Sequence, residues 1–378
     1  MRVFVVAGEA SGDKLGAAMM AGLRKHVPDV EFDGIGGPRM IEEGLQSLFP
    51  MDEISIMGIT EILSQYRHLK ARIRQTAEAV LAAKPDVLIT IDLPEFGLRV
   101  AKHVKAHSDI RTVHYVAPTV WAWRPGRARK MSAYIDHVLA LFPFEPPYME
   151  AEGMRCDFVG HPVVTDPVAT GAEAAHFRQI TGIGDAPLAL VLPGSRRGEV
   201  SLLMPIFAEV VAQLHAQRPE VQFVLPVAPN VAPLVHDAIA TWSTRPTLID
   251  PADQIQKRAA FAAADVALAA SGTVSLELAA VGTPMVIAYD MNWLSRQIIG
   301  RLLRVDTVTL VNLVSETRVI PEFIGAACKP NPIAKAVIDI LQDPSAQTQA
   351  MRITMERLGK GGQPPGERAA LAVLDGLK

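Results

Sequence analysis

The chain has 378 residues, of which 49% are hydrophobic, so about two domains with sizeable cores are expected. Lys and Arg number 37 against 40 Asp and Glu, a net charge of −3, which argues against a nucleic-acid binder with its basic footprint. Only Cys156 and Cys328 are present, without a CxxC or His-rich companion; this argues against a disulfide framework or structural zinc and fits a reducing cytosol.

The opening apolar run, residues 3–7, is too short for a signal-peptide core and ends in a Gly-containing turn, so it reads as a first strand. No window approaches the ~18 uninterrupted apolar residues of a membrane span, although attachment to a membrane surface stays open. Further strands are expected at 31–35, 86–91, 111–116, 137–142 and 156–159. In the second half they fall at 188–192, 221–227, 247–249, 266–270 and 285–289. Amphipathic helices, for example 15–26, 202–217 and 273–281, separate most of them. This alternation implies parallel sheets covered on both faces. Pro, Thr, Asp and Gly collect between His161 and Gly171, which predicts a linker there. The expected architecture is α/β: two Rossmann-like, doubly wound domains, 1–165 and 166–358, facing each other across a cleft. A Gly/Pro-rich spacer then precedes a helix at 367–378, with Ala370, Leu371, Leu374 and Leu377 on one stripe. That helix is expected to pack back on the first domain.

Ligands of such folds bind at the carboxyl ends of the strands, so the loops there are the candidates. After strand 266–270 comes Ser271-Gly272-Thr273-Val274-Ser275-Leu276-Glu277. Gly272 lets backbone approach a ligand, free N–H groups at the helix start suit a diphosphate, and Glu277 can accept from ribose hydroxyls. The same segment also reads as a plain cap followed by a surface Glu. A second phosphate candidate is Pro193-Gly194-Ser195-Arg196-Arg197-Gly198-Glu199, with arginines where a strand enters a helix. No P-loop motif occurs, and the glycines of the first loop, Gly8 to Asp13, do not form GxGxxG. Asp13 there can favour the helix dipole. Asp92, at a strand's carboxyl end with Glu95 nearby, can take a proton from an attacking hydroxyl, or simply cap the next helix. Trp121 and Trp123 can stack on a sugar or line an acyl pocket, or anchor the loop in the core. In 54–74, Ile56, Ile59, Leu63 and Tyr66 fall at helical spacing beside Arg67, Lys70 and Arg74, a pattern suited to anionic lipid headgroups or to a buried helix followed by a solvated one. His103 and His107 read as surface histidines.

Taken in order, these motifs resemble one family, lipid-A-disaccharide synthase, a glycosyltransferase of the GT-B fold. The matching segments include Ala7-Gly8-Glu9-Ala10-Ser11-Gly12-Asp13, Gly37-Pro38-Arg39-Met40, Met57-Gly58-Ile59-Thr60-Glu61, Ile91-Asp92, Val120-Trp121-Ala122-Trp123-Arg124, Phe158-Val159-Gly160-His161-Pro162, Leu192-Pro193-Gly194-Ser195-Arg196, Ser271-Gly272-Thr273 with Glu277, and Asn312. The resemblance implies transfer of 2,3-diacylglucosamine from UDP to the 6-hydroxyl of 2,3-diacylglucosamine 1-phosphate (lipid X). It implies inversion, and neither cofactor nor nucleotide-bound metal. Asp92 matches the family's general base. Ser11 matches a cleft residue near the reacting sugar, and Arg196, Glu277 and Asn312 match donor-site residues. The implied partners are UDP-2,3-diacylglucosamine, lipid X and the cytoplasmic face of the inner membrane, held peripherally; a homodimer is compatible with the chain. Three positions depart from the pattern: Glu95 stands where Asp is frequent, Gly97 where Asn is common, and Val311 where Pro is frequent. The alternatives are a UDP-GlcNAc 2-epimerase, an undecaprenyl-linked glycosyltransferase of the same fold, or a non-catalytic nucleotide-binding protein.

Overall fold

Strands that are apolar at every position need cover on both faces, and Val87–Ile91, Leu188–Leu192 and Val266–Ala270 are buried at every residue. They sit at the centres of two separate parallel sheets. The computed structural model describes residues 1–55, 66–123, 126–292, 296 and 305–378. It divides into unit 1, Met1–Thr165 with Leu358–Lys378, and unit 2, Asp166–Arg357.

Unit 1 runs β1 (Arg2–Ala7), α1 (Ala10–His26), β2 (Glu31–Ile35), α2 (Pro38–Glu42), β3 (Gln46–Ser47), α3 (Tyr66–Ala83), β4 (Val87–Ile91), α4 (Pro94–Lys105), β5 (Arg111–Tyr115), α5 (Gly126–Met131), β6 (His137–Ala140), α6 (Pro146–Glu150) and β7 (Arg155–Phe158). The sheet order is β3-β2-β1-β4-β5-β6-β7. The chain therefore reverses its direction of travel across the sheet between β1 and β4, the kind of switch point where such folds bind ligands. Phe4, Val6, Leu88, Val100 and Val138 form the centre of one core beneath this sheet.

Unit 2 runs α7 (Gly171–Ile180), β8 (Leu188–Leu192), α8 (Arg197–Gln217), β9 (Gln222–Pro226), α9 (Ala232–Ile239), β10 (Thr247–Ile249), α10 (Gln254–Ala263), β11 (Val266–Ala270), α11 (Val274–Val281), β12 (Met285–Tyr289), α12 (Leu310–Ser315), β13 (Glu322–Ile324), α13 (Pro330–Gln342) and α14 (Ser345–Arg357). Its order, β10-β9-β8-β11-β12-β13, puts the switch point between β8 and β11. The first helix starts with a capping box: Thr170 accepts from the Glu173 amide, and Glu173 accepts from the Thr170 amide. Helix α8 is long and apolar enough to cross a membrane by length and composition. Its Val200, Leu203, Met204, Phe207, Val210, Val211 and Leu214 are instead buried in this unit's core.

The α/β reading holds, with local corrections. Strand 137–142 stops at Ala140, because the Leu141 and Phe142 amides donate to the Glu145 carboxylate at 3.1 and 3.0 Å instead of to a neighbouring strand. Strand 111–116 stops at Tyr115, where Val116 turns to a φ of +84°. Edge strands β3 and β13 carry no sequence signal; at two and three residues they are too short to show alternation. The C-terminal helix is Pro365–Gly376 and packs on α1. Its buried stripe is Gly366, Ala369, Ala370 and Val373, whereas Leu371, Leu374 and Leu377 are half-buried. The reason is close approach. A Cβ on Gly366 would stand 2.6 Å from the Ala18 carbonyl carbon and oxygen, and one on Gly22 would stand 2.9 Å from the Ala370 Cβ. Small residues let the two backbones meet, so the leucines are pushed to the rim.

Candidate active site

In unit 2 the loops after β8 and β11 are neighbours, because Ala269 pairs with Leu192. They share a cavity of about 430 Å³ with residues of α10 and α11. Arg196, Ser271, Gly272, Thr273 and Glu277 all line it. Thr273 is the N-cap of α11 but makes no side-chain cap, so the plain-cap reading of this segment fails. The Ser275 and Leu276 amides turn back to the Gly272 and Thr273 carbonyls at 3.3 and 2.9 Å. The amides before them have no intrahelical acceptor, as at any helix start. Gly272 has a φ of +154°, and a Cβ there would meet no atom within 4 Å, so open space lies directly over the backbone. A diphosphate fits such a cradle: backbone donors, a positive helix end and no side chain in the way.

Charge around the cavity is paired and ready to exchange. Arg196, whose side chain is 76% exposed, contacts Glu199 at 3.2 Å. Lys257 Nζ lies 3.2 Å from Glu277 Oε2. Burial, with Glu199 nearby, raises the Tyr289 hydroxyl above its usual range, while Arg196 opposes the rise. Lys257 and Gln254 on α10 also line the cavity, and the sequence reading did not nominate them. No local motif marks them; the packing of α10 beside α11 brings them there. Asn312 is not among the lining residues. Its amide donates to Thr307 Oγ1 and the Ile320 carbonyl at 3.2 and 3.0 Å, and its oxygen accepts from the Ile320 amide at 3.0 Å. In this position it braces the loop that leads to β13.

In unit 1 the switch point gathers the loops after β1 and β4. Ala7 pairs with Ile91, so Gly8 and Asp92 begin adjacent loops. A Cβ on Gly8 would fall 2.2 Å from Leu93 Cδ2, so the two loops touch where Gly8 has no side chain. Asp92 and Leu93 both adopt left-handed backbone, with φ of +49° and +41°, and Val116 on the neighbouring strand end does so as well. Such conformations cost roughly 1–3 kcal/mol each and cluster where function holds them. The capping alternative for Asp92 fails, because Leu93 is the N-cap of α4 and no side chain caps that helix. Burial raises the Asp92 carboxyl above its ordinary value, and the Leu93 amide partly offsets this. The result is a better proton acceptor than an exposed aspartate. Glu95 is bound to Arg99 at 2.9 Å and Arg127 at 3.3 Å. Ser11 is exposed in the first turn of α1.

Asp13 is not spent on its own helix dipole. It is buried, and its carboxylate accepts from the amides of Gly37, Arg39 and Met40 at 2.9–3.1 Å, holding the start of α2. Trp121 is buried, edge-on to Phe144 at 5.2 Å, and acts as a core anchor, whereas Trp123 is 37% exposed and donates to Thr119 Oγ1. His103 and His107 are exposed on α4 and just beyond it. The candidate membrane residues Ile56, Ile59 and Leu63 lie outside the described residues, as do the motif residues 57–61 and Arg124; Tyr66, Arg67, Lys70 and Arg74 are exposed on α3.

A family model described as Lipid-A-disaccharide synthetase matches residues 3–373. The lipid-A-disaccharide synthase of Ruegeria pomeroyi is 63% identical, with 100% of this chain and 96% of the relative covered. That of Rhodospirillum centenum is 46% identical, with 99% and 94% covered. Among solved structures, the UDP-GlcNAc 2-epimerase of Neisseria meningitidis bound to UDP-GlcNAc is similar at a TM-score of 0.65 and 13% identity, covering 100% of this chain and 99% of that one. A Methanocaldococcus jannaschii UDP-GlcNAc 2-epimerase in complex with UDP-GlcNAc and UDP gives 0.62 and 13%, covering 99% of each chain. At such identity the structural likeness is one of fold, the two-domain GT-B type. Sequence similarity along its whole length shows that the chain belongs to the lipid-A-disaccharide synthetase family.

Proposed function

We propose that the chain transfers 2,3-diacylglucosamine from UDP to the 6-hydroxyl of 2,3-diacylglucosamine 1-phosphate, releasing UDP and the disaccharide 1-phosphate. The observation that carries this reading is the unit 2 cavity, which gathers Arg196, the start of α11 and Glu277. In it the amides of Gly272–Val274 take the diphosphate, and Arg196 leaves Glu199 to join them. Glu277 exchanges Lys257 for the ribose hydroxyls. In unit 1, Asp92 serves the acceptor, with Ser11 on the adjacent loop. As the 6-oxygen bonds to the anomeric carbon, its proton passes to the Asp92 carboxylate. The bond from that carbon to the UDP oxygen breaks, and the electron pair leaves with UDP, so the anomeric centre inverts. An alkyl hydroxyl is a weak acid, and concerted base help is worth about 10²–10⁴-fold. The helix start and Arg196 stabilise the charge that builds on UDP, so the step needs no divalent ion.

Both substrates are acylated and partition into a bilayer. The reading therefore places the enzyme at the cytoplasmic face of the inner membrane, in contact through residues 54–74; the exposed Tyr66, Arg67, Lys70 and Arg74 support this. The test is incubation with UDP-2,3-diacylglucosamine and labelled 2,3-diacylglucosamine 1-phosphate in detergent. Labelled disaccharide from the wild type is expected. No disaccharide, or epimerisation of unacylated UDP-GlcNAc instead, would overturn the assignment.

A further inference from the structure

Between β6 and α6 the chain buries a carboxyl group that the transfer step does not use. Glu145 is 2% exposed and directly precedes α6, yet its side chain does not cap that helix. It turns back instead, and its Oε2 accepts from the Leu141 and Phe142 amides at 3.1 and 3.0 Å. That leaves Oε1 for another donor. Trp121 supplies one. Its Nε1–H is buried without a completed hydrogen bond, and it joins the two amides in opposing the rise that burial imposes on the Glu145 carboxyl. Among the described residues no cation offsets that burial. Burying such a group unpaired is costly, so its few contacts carry weight. The rings nearby tie the same two segments together: Phe144 meets Trp121 edge-on at 5.2 Å and stacks on Phe142 at 5.4 Å. Trp121 in turn fixes a loop that begins beside the candidate base, because the Asp92 amide donates to the Tyr115 carbonyl at 2.9 Å. On that loop, partly exposed Trp123 is held by its bond to Thr119 Oγ1 at 3.0 Å.

We propose that Glu145 is a positioning residue for the acceptor: its carboxyl anchors the Trp121 indole and thereby sets the loop, begun beside Asp92, that carries Trp123. Trp123 then offers a ring face to the acceptor sugar. Glu145 itself touches neither substrate. The inference rests on the transfer reading for the identity of the acceptor. The donor cavity is built from other loops in unit 2, so the effect of Glu145 belongs to one substrate only.

The test is the detergent transfer assay with each substrate varied in turn, on Glu145→Gln, Trp121→Phe and the two combined. Gln keeps one oxygen for the two amides but sets an NH2 group against the indole. Phe keeps the ring on Phe144 and drops the N–H. Each single variant should raise the acceptor KM about tenfold, the effect of one lost hydrogen bond. The donor KM and UDP binding should change less than about twofold, and the double variant should be no worse than either single one. Glu152→Gln, an exposed change just past α6, should match the wild type throughout. Equal rises in donor and acceptor KM, additive losses in the double variant, or an unchanged acceptor KM in Trp121→Phe would overturn the proposal. Trp121→Phe decides alone if Glu145→Gln does not fold. A second readout needs no activity. With nitrogen-labelled tryptophan, the indole N–H resonance that disappears in Trp121→Phe should shift in Glu145→Gln and stay in place in Glu152→Gln; no shift would equally overturn the proposal. Absence of disaccharide from the wild type would sink the transfer reading and the acceptor role with it, whereas the indole shift would still report the contact between Glu145 and Trp121.

Discussion

Replacing Asp92 separates chemistry from backbone strain. Asn tolerates the left-handed region nearly as well as Asp, whereas Ala does not. Asp92→Asn should therefore keep the turn at φ +49° and remove only the proton acceptor. The expected loss in kcat is about 10²–10⁴-fold, or about 3–5 kcal/mol of transition-state stabilisation. UDP binding, in the other unit, should not change. Stability should hold or rise. Burial raises the Asp92 carboxyl, so the folded state prefers it protonated. That contribution to stability is complete below the unfolded value of 3.8 and is lost as pH rises through the folded value. At neutral pH the charged carboxylate is thus a cost that Asn does not carry. Asp92→Ala should lose the same activity and add roughly 1–2 kcal/mol of backbone strain, lowering Tm by roughly 2–8 °C. Disaccharide formation from pH 4 to pH 9 completes the test. The wild type should show an acid limb in kcat/KM above the ordinary aspartate range, and Asp92→Asn should lack it. Activity within tenfold of wild type, or an unchanged acid limb, would refute the assignment of Asp92 as base.

Glu277→Gln should weaken UDP binding by calorimetry roughly 10–100-fold, since a hydrogen bond to a charged group is worth about 1.5–3 kcal/mol. 2′-Deoxy-UDP should be affected less, and Tm should barely move, because the half-exposed pair with Lys257 is worth only about 0–1 kcal/mol. Gly366→Leu drives a Cβ into the Ala18 backbone, which cannot yield as a side chain would. It should cost about 1–3 kcal/mol and raise hydrogen exchange in 365–376; a wild-type Tm and exchange pattern would contradict the close packing. Burial pushes the Glu145 carboxyl up to about 8, with the Phe142 and Leu141 amides opposing. Its contribution to stability is full below the unfolded value of 4.5 and lost as pH rises to about 8. The Tm difference between Glu145→Gln and wild type should therefore grow in the variant's favour from pH 5 to pH 9, and a flat difference would contradict it.

The strands are legible because burial on two faces leaves short, continuous Val, Ile, Leu and Ala runs. Strand–helix alternation places the loops of Asp92, Arg196 and Ser271–Glu277 at carboxyl ends. Neither feature says which strands are neighbours. That β1 lies beside β4, and β8 beside β11, depends on surfaces contributed by segments far apart in the chain, and only their packing selects the order. The same holds at the site. Lys257 reaches Glu277 from another helix, and Asn312 turns to Thr307 and Ile320. The left-handed backbone at Leu93 contradicts its local preference and survives because its surroundings hold it. The C-terminal helix states the difference most plainly. Periodicity marked its leucines as the buried face, but backbone approach at Gly22 and Gly366 requires small residues there. Local pattern determines what wants burial; the tertiary structure decides which surfaces come close enough to bury it.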